Sequence, residues 1–427
     1  MDAGPARPTV ALLLAALAVL AGCAAPVAER PGTNTTATPE DAASAAAQAN
    51  QSEAAYDVRV DGELPVNATL VFARTQTLLN SSITTTAVSV DRSPSGSGQP
   101  GPVSQFRQLL GIGPPRAQAE SDLEVGGVTY TNGQVTIAPN GGEPAEIERT
   151  LAHEFVHVAQ AGTGVFRNVP SQLPLDRQGT TDARLVTRSV IEGAAVFGST
   201  AYTERYQPSY PTERATLARV YANASAGTQL FWGPYRFGGA HVAARIDDPA
   251  ALSEVYGDAP VTTEQVIHAT DDPVRDLRVT VDPGAWTETR RDSMGELFTR
   301  IALDVGLSSD RAASAAAGWG NDQLVGFERG TDQGYAWALR WDDDEEAQAF
   351  TAALRTALDE RATRTADGWR TTEGEYRIEA SGETVVLLTG ASEFVAGTTV
   401  EVADDSVSLS LPESFARAGS APVPTAG

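Results

Sequence analysis

Apolar residues recur every three to four positions between residues 144 and 160. Ile147, Leu151, Phe155 and Val158 fall on one stripe, the spacing of a helix with one face in the core. The flanks agree. Asn140-Gly141-Gly142 reads as a loop, Glu143-Pro144 suits a first helical turn, and Gly162 is the expected stop. Glu143, Glu146 and Glu148 put negative charge near the positive end of the helix dipole. Just upstream, Val128 to Ile137 alternates around Asn132-Gly133, which predicts two strands joined by a two-residue turn. The second strand leads directly into the helix and, at Gln134–Ile137, offers a place where an extended peptide could add as a further strand.

Elsewhere the pattern divides the chain. Tyr56 to Val90 looks ordered, with a helix at Leu70–Leu79. Asp91 to Asp122 is broken by Pro and Gly and holds one short helix at Ser104–Leu110. After the first helix comes a loop with Pro170, Pro174 and Gly179. Helices are then expected at Asp182–Tyr202, Thr212–Ala222, Gly238–Arg245 and Thr263–His268. From Ser293, helices at Ser293–Leu303 and Arg311–Ala317 precede strands at Leu324–Glu328 and Ala336–Arg340. A long helix at Glu345–Arg361 and strands at Tyr376–Ile378 and Thr384–Leu388 follow. The fold class is α+β. The divisions expected are 56–122, partly ordered; 123–285, holding the helix with the apolar stripe; 286–400, a C-terminal α+β unit; and a tail over 401–427.

Charge narrows the partners. The 427 residues carry 55 acidic and 31 basic side chains, a net charge of −24. Every basic residue is arginine. Such a chain repels itself in dilute buffer, and molar salt, with a Debye length of about 3 Å, screens the repulsion. The acidity and absence of lysine point to a salt-adapted source, and no basic patch is available for nucleic acid. Cys23 is the one cysteine, so no disulfide forms within the chain. Arg7 and the apolar run Val10–Leu20 precede Leu20-Ala21-Gly22-Cys23. The run suits a signal peptide over 1–22, too short to span a membrane. Leu-Ala-Gly-Cys resembles a lipobox, which would leave Cys23 lipidated. The Ala/Thr/Pro/Ser-rich segment that follows, to about residue 55, reads as a stalk. Its Asn34-Thr35-Thr36 and Asn50-Gln51-Ser52, with Asn67-Ala68-Thr69, Asn80-Ser81-Ser82 and Asn223-Ala224-Ser225, are N-glycosylation patterns. The expected location is the outer face of the cell membrane.

The helix also carries chemistry. His153-Glu154-Phe155-Val156-His157 stacks two imidazoles on one face, four residues apart, within reach of one metal ion. Glu154 points about 100° away, beside the ion, where it can accept a proton from attacking water. Zinc needs a third ligand. Glu192, in the apolar stretch Val190-Ile191-Glu192-Gly193-Ala194-Ala195, would be costly to bury unpaired, and coordination would satisfy it. Asp176 and Asp182 are weaker ligand candidates. His268, Tyr235 and His241 are candidates to stabilise an oxyanion.

HEFVH followed by a Glu-Gly-x-Ala helix resembles the gluzincin (peptidase-MA-like) metallopeptidases, and surface lipoproteins of halophilic archaea that share the motif. Thr262–His268, Gly318-Trp319-Gly320-Asn321-Asp322, Trp337, Trp341 and Asp342 resemble later segments of related proteins, so the likeness runs from about Val125 to Leu388. The resemblance implies a zincin-like core over 123–285, with Zn2+ held by His153, His157 and Glu192, Glu154 as base, a peptide substrate, and attachment to the membrane at Cys23. A non-catalytic surface lipoprotein of the same fold, acting in binding or envelope structure, and a solute-binding lipoprotein are the alternatives.

The salt reading has a direct consequence. The melting temperature should rise between 0.1 M and 3 M KCl or NaCl, and a higher value in low salt would overturn it.

Overall fold

The apolar stripe around position 150 is one side of a packed helix that closes one face of a small sheet. The computed structural model describes the backbone of 23–24 and residues 55–91, 103–115, 125–403 and 405–413. The signal peptide and nearly all of the stalk expected above lie outside the described residues. Along the chain come β1 (Cys23–Ala24), β2 (Asp57–Asp61), α1 (Ala68–Leu78), β3 (Thr85–Val90), α2 (Gln105–Leu109), β4 (Gly126–Thr129) and β5 (Val135–Ala138). The sheet order is β1-β4-β5-β3-β2. Strands β2, β3 and β5 are parallel and β4 runs against β5. The expectation that Gln134–Ile137 could take an added strand is therefore corrected, because β5 is paired on both sides. The β4–β5 turn also differs. Tyr130 N–H donates to Gln134 O at 2.9 Å and Gly133 N–H to Tyr130 O at 2.8 Å, with Gly133 at φ +80°. That is a three-residue loop with a left-handed glycine, not a two-residue turn.

α3 (Pro144–Thr163) buries Ile147, Leu151, Phe155 and Val158 against Phe72, Val88, Val135 and Ile137. It runs through Gly162 and stops at Gly164, whose φ of 75° is left-handed. The expected loop beyond it contains a helix, α4 (Val165–Gln172), with Pro170 in its last turn. α5 (Thr181–Tyr206) starts at a Thr180 side-chain cap, and α6 (Glu213–Ala222) at a Thr212 cap. α7 (Ala226–Arg245) is more than twice the length expected. Gly227, Gly233, Pro234, Gly238 and Gly239 weaken its local helical signal, and its packing on α5 overrides that. A Cβ on Gly193 would lie 2.3 Å from the Gly238 carbonyl carbon, and one on Gly238 would lie 2.1 Å from Ser189 O. The two helices touch backbone to backbone.

α8 (Leu252–Gly257) and α9 (Thr263–His268) lead to the C-terminal unit. Its elements are β6 (Arg278–Asp282), β7 (Thr287–Asp292), α10 (Gly295–Asp304), α11 (Ser309–Ala316), β8 (Trp319–Arg329), β9 (Asp332–Trp341), α12 (Asp344–Asp359), β10 (Thr363–Arg364), β11 (Trp369–Arg370), β12 (Glu375–Ser381), β13 (Thr384–Gly390), α13 (Ser392–Gly397), β14 (Thr399–Ala403) and β15 (Ser406–Ser410). An antiparallel sheet, β10-β11-β12-β13-β9-β8-β7, packs α10, α11 and α12 on one face. On its other face lie α13 and a small sheet, β14-β15-β6. The parallel β6–β15 pair carries this unit back to 278 and forward past the expected tail boundary at 400. α2 is also reassigned. Phe106 packs on Phe298 and Trp337, so 103–115 belongs with the C-terminal core, while 57–90 belongs with β5 and α3. No described helix is long and apolar enough to cross a membrane.

The α5–α7 contact gives a test. Gly238→Ala should destabilise the protein by about 1–3 kcal/mol through overpacking, read as a lower melting temperature in molar salt. An unchanged melt would mean that the helices separate easily.

Candidate metal centre

α3 and α5 cross so that His153 and His157 face Glu192 in the interior. His157 Nε2 lies 3.2 Å from His153 Nε2 and 3.2 Å from Glu192 Oε2, and His153 Nε2 lies 3.5 Å from the same oxygen. Ligand atoms around a tetrahedral ion at bonds of about 2.0–2.1 Å are separated by about 3.3 Å. The triangle therefore has the size of three corners of such a site. His153 is 1% exposed, and His157 and Glu192 are 0% exposed. Glu192 Oε1 is buried without a hydrogen-bond partner, an orphan that coordination would satisfy. Among the described residues this is the one group of three or more His, Cys, Asp or Glu side chains that can hold a metal ion. The ligand set expected from sequence is brought together as a set.

The outer contacts fix the rings. His153 Nδ1 lies 2.9 Å from Glu213 Oε2, and the same oxygen accepts from the Ser199 hydroxyl. His157 Nδ1 lies 2.6 Å from Gln160 Oε1, and the Gln160 amide donates to Ile191 O at 2.9 Å and Tyr256 Oη at 3.0 Å. With each Nδ1 engaged, each Nε2 is directed to the centre. Glu154 sits under β4. The Thr129 hydroxyl donates to its Oε2 at 2.6 Å, and Oε1 is buried without a partner. A Cβ on Gly127 would lie 2.6 Å from Oε1, so only glycine there leaves room for the carboxylate. Burial pushes the Glu154 pKa up, against the pull of His157 and His153. Burial also works against the Glu192 carboxylate, but the two imidazoles outweigh it and hold that group well below the usual range. For His157 burial opposes the charge, yet Glu192 prevails and the shift is upward. Glu213, Gln160, Thr129 and Gly127 were not singled out in the sequence. They follow no motif, and only Gln160, on the His157 side of α3, had a position that could have flagged it.

Comparison with known proteins adds one match. A family model described as a domain of unknown function (DUF8575) matches residues 279–401. The match covers β6 through most of β14 and does not include the His–His–Glu group. No curated protein matches the chain. No solved structure matches it either.

The other candidates are placed differently. The Tyr235 ring stacks on His153 at 6.1 Å between centroids, and its hydroxyl accepts from Arg188 at 3.4 Å. His241 is buried on α7, with its pKa lowered by burial and by Arg245. Asp182 is bonded to Arg177 and Thr263, and Asp176 is exposed, so neither joins the centre. His268 Nε2 lies 2.9 Å from Glu296 Oε2. It belongs to an acidic group where α9 meets α10, not to the metal centre. Glu264 lies in that group, and burial, then the carboxylates of Glu296, Asp342, Asp272 and Asp182, push its pKa up to about 9. An unfolded glutamate ionises near pH 4.3, so between pH 4.3 and about 9 the native state holds the extra proton and stability falls as pH rises. Glu264→Gln should therefore melt higher than the parent at pH 8, with the difference vanishing at pH 4. Equal melting at pH 8 would refute the account.

Proposed function

We propose that this chain is a zinc-dependent peptidase with a zincin-like core, held at the outer face of the membrane by lipid on Cys23. The observation that carries the reading is the triangle of His153 Nε2, His157 Nε2 and Glu192 Oε2, all within 3.5 Å of one another, with the Glu154 carboxylate on the adjoining face of α3. The donor set is two imidazoles and one carboxylate, which suits zinc and leaves a fourth position for substrate or water. Bound zinc would supply Lewis-acid polarisation of the scissile carbonyl and acidify the attacking water.

The chain's own groups do the rest. Thr129 holds one Glu154 oxygen, leaving Oε1 to accept the proton of the attacking water and return it to the leaving amine. Glu213 and Gln160 keep the imidazoles in the Nε2-presenting orientation. Of the three side chains considered for the oxyanion, Tyr235 is the one that stacks on a ligand. The tether rests on Leu20-Ala21-Gly22-Cys23, with mass analysis of the membrane-extracted protein as its check.

A second reading is favoured by the burial. Glu154, His157 and Glu192 are 0% exposed, and a centre enclosed to that degree does not meet a peptide as it stands. One experiment separates the two. Protein purified in molar salt is analysed for metal and assayed on a general peptide substrate, with and without chelator, as wild type and as Glu154→Gln. The peptidase reading expects one zinc per chain in both, hydrolysis that chelator abolishes, and a loss of about 10²-fold or more in the variant. Zinc without turnover supports the enclosed, non-catalytic centre, and absence of zinc overturns both.

A further inference from the structure

The two imidazoles are backed by different chemistry. Gln160, behind His157, is neutral and comes from the same helix. Its amide also ties that helix to Ile191 O and to Tyr256. Glu213, behind His153, is a carboxylate delivered from the first turn of α6. Two contacts fix its delivery. The Ser199 hydroxyl on α5 donates to the same oxygen that faces His153. Arg149, one helical turn before His153, donates to Pro211 O at 3.0 Å and lies over the Tyr210 ring, so it grips the connector that ends at Glu213.

Position gives this carboxylate a purpose. A divalent cation here would have three buried carboxylates around it, Glu192, Glu154 and Glu213, in an interior that solvent does not reach. Buried net charge is costly unless paired. Glu213 is the one of the three that reaches the ion through a ligand ring, by way of His153 Nδ1.

We infer that Glu213 is a positioning residue for the metal centre, holding His153 with Nε2 as the ligand atom and setting a carboxylate behind that ligand. The inference rests on the metal reading above, and its test is kept separate by measuring binding rather than turnover. Metal-free wild type and Glu213→Gln are titrated with Co2+ in molar salt against a chelating indicator, and the visible spectrum of each Co2+ form is recorded. Expected are a 10- to 100-fold weaker Co2+ affinity in the variant, a changed Co2+ spectrum, and a metal-free melting temperature matching wild type. Glu213→Asp should recover part of the affinity. If Glu213→Gln fails to fold, Ser199→Ala, which leaves the carboxylate in place with one anchor fewer, should weaken Co2+ binding several-fold. Wild-type affinity in Glu213→Gln, or in Ser199→Ala should that variant be needed, would overturn the inference while leaving the metal centre intact. A wild-type chain that takes up no Co2+ would defeat the centre itself, and this inference with it.

Discussion

Glu192 has no solvent to stabilise its charge, and the two imidazoles facing it are what make its burial tolerable. A carboxylate in the interior, if unpaired, costs several kcal/mol or takes up a proton. Here it sits against His153 and His157, and the electrostatic balance keeps it ionised. The helix crossing has to satisfy this constraint. α5 must lie close enough to α3 for Oε2 to reach both Nε2 atoms, and α7 seals its other side. Gly193 and Gly238, where the α5 and α7 backbones meet, make that seal possible.

The C-terminal unit reaches the same helix by a chain of carboxylates. Asp322 on β8 accepts from the Ser293 hydroxyl and from the Met294 and Gly295 amides, and also from the Trp337 indole. This holds the start of α10 to the large antiparallel sheet. Asp182, in the first turn of α5, has its own amide bonded to Ser293 O and its side chain bonded to Arg177 and Thr263. Asp292 accepts from Thr181. The N-terminal end of α5 is thus anchored to residues of the family-matched region. The position of Glu192 therefore depends on both halves of the chain.

Enclosure shapes what the centre can do. Low exposure strengthens every electrostatic interaction inside and excludes water, which serves a metal of either role. Glu154 adds a feature that a purely structural metal does not need. Its carboxylate is held at one oxygen by Thr129 and accommodated by a glycine on β4, beside the ligands without being one of them. β4 is joined to the rest of the sheet chiefly through β5, whereas α5 and α7 are interlocked.

Residues close together in sequence were legible without coordinates. The period of α3, its proline start and the four-residue spacing of His153 and His157 are local, since one helical turn decides them. Glu192 was legible because a lone carboxylate in an apolar run has few affordable fates. The limits of α7 are not legible in the sequence, because Pro234 and its glycines argue against a helix locally and only contact with α5 outweighs them. The assignment of 103–115 to the C-terminal core, and of β6 to the same sheet as β15, rests on pairings across more than 100 residues. The outer partners of the centre divide in the same way. Gln160 lies one turn from His157 on its own helix, whereas Glu213 meets His153 only because α6 folds back across α5. The sequence by itself determined the ligand types and the helix that presents two of them. The tertiary structure decided that they converge, which carboxylate stands behind His153, and that the centre is closed to solvent, because distance between elements is set by packing and leaves no periodic trace in the chain.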